Sequence, residues 1–231
     1  MREPCATGDP TRPNGKCAAA LLAGLTVLLV VPSEAASPPA GTSVGLVWFD
    51  PEDMLPDGFA EARQEIDAIF RGIGVEVRWT QGGHDSGYLS AGRPEVAVVL
   101  VAEDRSHGPR SVMGLVLRGE KTIRVAWVFV NNVRVALGHR PLRPRPSPEQ
   151  IPELARAVAR VAAHEVVHAI APDEPHAREG LMSEALSRHF LLRERAIIDP
   201  RCASAFLSRL AALPPARDAN IALGTVSFPG F

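Results

Sequence analysis

The stretch between Ser147 and Ile170 leaves this chain few ways to fold. Leu154, Ala155, Val158, Val161, Ala162 and Val166 recur at helical spacing, with Ala157, Ala159 and Ala163 among the residues between them. A helix that apolar is buried on most of its circumference. Ser147 can cap its start and Pro148 suits its first turn. Pro172 stops it just beyond Ile170. Into this apolar setting the sequence puts His164, Glu165 and His168. Two imidazoles and a carboxylate are costly to bury unless the fold gives them partners.

A metal ion is such a partner, and the spacing suits one. His164-Glu165-Val166-Val167-His168 reads HExxH. Helical residues four apart lie about 40° apart around the axis, so both rings point the same way and can share one ion. Glu165 is rotated away from that direction. Its side chain can reach a water beside the ion but not readily the ion itself. Zinc lowers the pKa of such a water to about 7, and the carboxylate is positioned to take its proton. A zinc ion needs a third protein ligand. Downstream the candidates are Asp173, His176 and Glu184.

The rest of the chain gives an α+β order in one domain. Residues 44–49 form a compact apolar run that predicts a buried strand. Pro56 and Asp57 open a helix carrying Phe59, Ala62, Ile66, Ile69 and Phe70, closed by Gly72 and Gly74. Val75, Val77 and Trp79 alternate with polar residues as a strand with one wet face. Residues 80–93 are a Gly- and Ser-rich loop. Strands are expected at 96–101, 112–117 and 123–130, the last two around a turn at 118–121. Residues 140–148 alternate Arg with Pro as an extended, solvated connector. Helices are expected from about Ser183 to Ile197 and from about Cys202 to Ala212, with a loosely ordered tail from residue 214.

The segment after the HExxH helix carries a resemblance. It runs from His168 through Pro172, Asp173 and Pro175 to His176, then to Gly180-Leu181-Met182. This resembles the metzincin group of zinc peptidases, in which HExxH is followed by a turn, a third His and a methionine-bearing turn. The likeness covers residues 160–183. It implies His176 as third ligand, Met182 as the supporting methionine, and a zincin-like domain over 42–213. Such a domain has a mixed twisted sheet, a backing helix, the HExxH helix and C-terminal helices. It implies a zinc-dependent hydrolase of peptide bonds, with Glu165 as general base and a peptide or protein as substrate.

The pattern also departs from that group. Its third His follows the second by six positions; here His176 follows His168 by eight. The group's turn glycine is absent, and Ala171-Pro172-Asp173 stands in that region. The wider spacing followed by Gly-Leu-Met resembles a set of exported bacterial proteins. Tyr88 is the only tyrosine, so no tyrosine follows Met182 to help hold an oxyanion. In another large zinc-peptidase group a glutamate on the next helix completes the site, and Glu184 fits that pattern. Glu184 equally suits the first turn of a helix, favoured by its dipole, and Met182 suits plain core filling. His189 on the same helix can face the site. His84 and His107 lie in polar loops and read as solvated.

The N-terminus reads as an export signal over residues 1–35. Arg12 and Lys16 precede an apolar run from Cys17 to Val31, and Pro32-Ser33-Glu34-Ala35-Ala36 suits a cut after Ala35. The run is about 15 residues, short of the roughly 20 that span a bilayer. An uncleaved anchor is the alternative; with cleavage no stable membrane insertion is expected. Residues 36–41 form a short linker. Of Cys5, Cys17 and Cys202 only the last would remain, which excludes an internal disulfide. The net charge of −1 argues against nucleic acid as a partner. The alternative to an enzyme is an exported zinc-binding domain without turnover. Glu165 weighs against it, because a purely structural site has no use for that residue and tends to fill four protein ligands.

Overall fold

A computed structural model describes residues 41–81, 95–102, 111–118, 124–139 and 145–213. The chain divides into Met1–Ala36 and Ser37–Phe231. The first unit lies outside the described residues, as do His84, Tyr88, His107, the centre of the 118–121 turn, most of the Arg/Pro connector and the tail from 214.

Five strands form one mixed sheet in the order β2-β1-β3-β5-β4. They are β1 (Ser43–Phe49), β2 (Glu76–Gln81), β3 (Glu95–Val101), β4 (Gly114–Arg118) and β5 (Arg124–Phe129). All neighbours are parallel except β4, which runs antiparallel to β5. The row Trp48, Val98, Ala126, Val116 crosses four strands in register. After their first residues, Ser43, Glu95 and Arg124, the central strands carry no polar side chain, because both faces are covered. Val44, Leu46, Val96, Val98, Leu100, Ala126 and Val128 belong to the main core with the helices. Ala97, Val99, Val125, Trp127 and Phe129 alternate with them and form a second buried cluster on the opposite face.

Helix α1 (Phe59–Arg71) links β1 to β2 and buries Ala62, Ile66, Ile69 and Phe70. Helix α3 (Ile151–Ile170) packs on α1 and is buried at nearly every position from Leu154 onward. The predicted cap is present in a modified form. Ser147 and Gln150 make a capping box over a single 3₁₀ turn, Pro148–Gln150, before α3 begins.

Two expectations need correction. Residues 123–130 do not stay extended to their end. The β5 ladder stops at Phe129, and Val130 starts a short helix, α2 (Val130–Ala136), which the sequence reading missed. Its apolar residues simply continue the apolar pattern of the strand. The helix expected from Ser183 to Ile197 shrinks to α4 (Arg188–Leu192). Its N-terminal part is lost because Ser183 pairs back with Ala177 and its N–H bonds the Gly180 carbonyl at 3.3 Å. Its other end is taken by Arg160, whose side chain is fully buried on α3. That guanidinium donates to the Phe190 and Arg193 carbonyls at 2.7 Å each, to the Leu191 carbonyl at 3.1 Å and to Glu65 Oε1 on α1 at 2.7 Å. The last helix, α5 (Pro200–Ala212), begins under an Asp199 cap. Among the described residues no helix is long and apolar enough to cross a membrane.

Candidate metal centre

Helix α3 carries His164 and His168 one turn apart, and the following segment turns back to bring His176 to both. His168 Nε2 lies 3.1 Å from His164 Nε2 and 3.1 Å from His176 Nε2. Among the described residues these three form the group whose ligand atoms lie within 4.8 Å of one another. Burial grades across the group: His164 is buried, His168 half-buried and His176 exposed.

The backbone fixes which nitrogen of His164 is available. Its Nδ1 donates to the Leu181 carbonyl at 2.7 Å, so the Nε2 lone pair faces its two partners. Burial lowers the pKa of His164. The Leu181 carbonyl opposes that shift, and charge on His176 adds to it. The neutral ring is therefore favoured, and that is the form that binds a metal.

The donor set fits zinc. Zinc–imidazole bonds of about 2.0–2.1 Å at tetrahedral angles would hold the nitrogens about 3.3–3.4 Å apart. The two separations from His168 Nε2, 3.1 Å each, are close to that. Three imidazoles beside an open cleft would leave a tetrahedral ion one position that no side chain of the group fills.

Glu165 lies beside the group, 8% exposed, with no hydrogen bond among the described residues. Burial pushes its carboxyl up to about 7. It packs against Gly114 of β4 so closely that a Cβ there would lie 2.6 Å from both its Cγ and its Oε1. Gly114 was not singled out from the sequence. The available signal was a glycine inside a strand, which often marks close approach of another group.

Residues 111–116, Val161 of α3, and the segments around His176 and Glu184 line a cleft of about 700 Å³ over these side chains. Glu184 lines it but is not one of the three converging ligands. It also does not open a helix, because α4 starts at Arg188. Asp173 accepts from Arg209 of α5 at 2.9 Å instead of joining the histidines. His189 is exposed on α4 and is not among the cleft residues. Met182 is fully buried in the main core. In the turn that holds it, Gly180 adopts φ +86° and the Met182 carbonyl accepts from the Ala177 N–H at 2.7 Å. The group that touches His164 there is the Leu181 carbonyl, a backbone contact the sequence reading did not identify.

No protein-family model and no curated protein matches the chain. A solved structure similar to it is that of archaemetzincin from Methanopyrus kandleri, 19% identical, covering 79% of this chain and 99% of that one, with a TM-score of 0.43.

Proposed function

We propose that the chain is an exported, zinc-dependent metallopeptidase with a zincin-like fold. The observation that carries this reading is the convergence of three imidazoles beside a buried carboxylate, unpartnered among the described residues, in an open cleft. His164, His168 and His176 would hold the zinc. When bound, zinc lowers the pKa of a water and polarises a carbonyl oxygen. Glu165 acts as general base: its carboxylate accepts the proton of the attacking water and returns it to the departing amine. Strand β4 ends the sheet among the described residues, and its backbone can pair with an extended substrate running along the cleft. Export rests on the N-terminal sequence alone.

A fourth side chain in the ligand group would favour a zinc-binding domain without turnover; the described residues supply three. Metal analysis of the purified full chain tests the site. About one zinc per chain is expected, and Glu165→Ala is expected to keep the zinc and lose peptide hydrolysis. A wild-type chain that binds no zinc would overturn the reading.

A further inference from the structure

We infer that the cleft selects peptides with a basic side chain, and that Glu184 is the residue that selects it. The inference rests on the peptidase reading only for cleavage; the preference itself is a property of binding.

Charge is segregated among the described residues around the cleft. The chain has 25 Lys and Arg residues, yet none stands among the described residues that line the cleft, whereas three glutamates do. Glu165 belongs to the metal centre. Glu174 is engaged by the Cys202 thiol. Glu184 is exposed and makes no hydrogen bond or ion pair among the described residues. It is the carboxylate left over for an incoming cation.

Its backbone is held firmly. Leu181 and Met182 before it are fully buried, and Leu186 after it is 7% exposed. The Leu181 carbonyl is bonded to His164, and Ser183 Oγ donates to the Ala185 carbonyl at 3.0 Å. Glu184 therefore projects from a short segment pinned at both ends, three residues from a contact with the metal centre. Independently, the nearly buried carboxylate of Glu165, without a hydrogen-bond partner among the described residues, lines the same cleft and marks it as a site that takes a ligand.

The remaining walls suit the rest of such a side chain. Val112, Met113, Val116 and Leu186 are apolar and line the same space. Lysine and arginine have that dual character, an alkyl stem that packs on apolar surface and a charged head that seeks a carboxylate. An acidic side chain would meet Glu174 and Glu184 as like charges. Discrimination of this kind works as much by rejecting the wrong charge as by attracting the right one.

The test uses the zinc-loaded full chain and matched peptides that differ in one residue, Arg, Gln or Glu, scanned through each position. At one position the Arg peptide is expected to be cleaved with kcat/KM about tenfold above the Gln peptide. Glu184→Gln should collapse that ratio, and Glu184→Lys should invert it in favour of Glu, with zinc content unchanged in both variants. The same peptides, fluorescently labelled, are titrated against the zinc-loaded Glu165→Ala chain by anisotropy. Cleavage with no preference for Arg, or a preference that Glu184→Lys leaves intact, overturns the inference while the peptidase reading stands. No cleavage of any peptide, with Arg peptides still bound best and Glu184→Lys reversing the order, sustains the inference and overturns the peptidase reading. Absence of both cleavage and preferential binding overturns both.

Discussion

His164 Nδ1 donates to the carbonyl oxygen of Leu181 across 2.7 Å, so the HExxH helix and the Gly180–Ser183 turn hold each other in place. The bond orients one imidazole of the candidate metal centre through backbone, and the backbone depends on Gly180 at φ +86°. A Cβ at Gly180 would have room, with its nearest neighbour 3.6 Å away, so the cost of Gly180→Ala comes from the dihedral angle. That cost is about 1 kcal/mol. Disturbing the group that orients a metal-binding His typically weakens metal affinity about 10- to 100-fold. Chelator competition on Gly180→Ala should show a loss in that range. An unchanged zinc affinity would mean that the Leu181 contact does not orient the ring.

Gly114 and Glu165 give the sharpest steric prediction. An alanine at 114 would put its Cβ 2.6 Å from the Glu165 carboxylate, and one of them must move. The three histidines are untouched by that clash. On the proposed function, Gly114→Ala should therefore bind zinc as the wild type does while kcat falls about 100-fold, the scale of loss for a displaced reacting group. Zinc content and steady-state kinetics on one peptide check it. Full activity in this variant would remove the close packing from the account of the site.

Much of this arrangement was legible in the sequence, and the reasons for the rest are specific. His164, Glu165 and His168 follow from helix geometry, because one turn of α3 fixes their relative directions. The strands of the core were legible because runs such as residues 96–101 are apolar at every position. The extent of α4 was not. One end is set by Arg160 reaching across from α3, a contact between segments far apart in sequence, and the other by Ser183 turning back to Ala177, a local pairing that apolar periodicity does not reveal. The Leu181 carbonyl was hidden for a related reason, since any residue can offer a backbone oxygen. Gly114 left only the faint mark of a missing side chain.

Arg160 is the next position to test. It is fully buried, pairs with Glu65 at 2.7 Å and bonds three carbonyls at the end of α4. Arg160→Met keeps much of the volume but strands those acceptors. Breaking a buried charged network from one side costs about 3–5 kcal/mol. Glu65 retains some solvent access, so the lower end of that range is expected. Urea unfolding gives the magnitude. Faster amide exchange at Phe190 to Arg193 than in the wild type would locate the loss at α4. A cost below about 1 kcal/mol would show that the network contributes little.

The metal-free chain should also carry a pH signature of Glu165. Burial raises its carboxyl from 4.5 to about 7, so the folded chain keeps a proton that the unfolded chain has already released. Below pH 4.5 both states are protonated and the group contributes nothing. Between about 4.5 and 7 the fold loses stability as pH rises, and above 7 the full penalty is present. A shift of this size corresponds to on the order of 3 kcal/mol. His164 acts in the opposite sense. Its lowered pKa makes the fold gain stability as pH rises toward 6.5, so the two groups partly cancel in the wild type. Glu165→Gln removes one and keeps the other. With chelator present, the two chains should unfold at similar urea concentrations near pH 4.5, and the Gln variant should become progressively the more stable up to pH 7.5. A difference that stays constant across that range would mean that the carboxyl ionises in the folded chain as readily as in water, and that its burial beside Gly114 does not govern its charge.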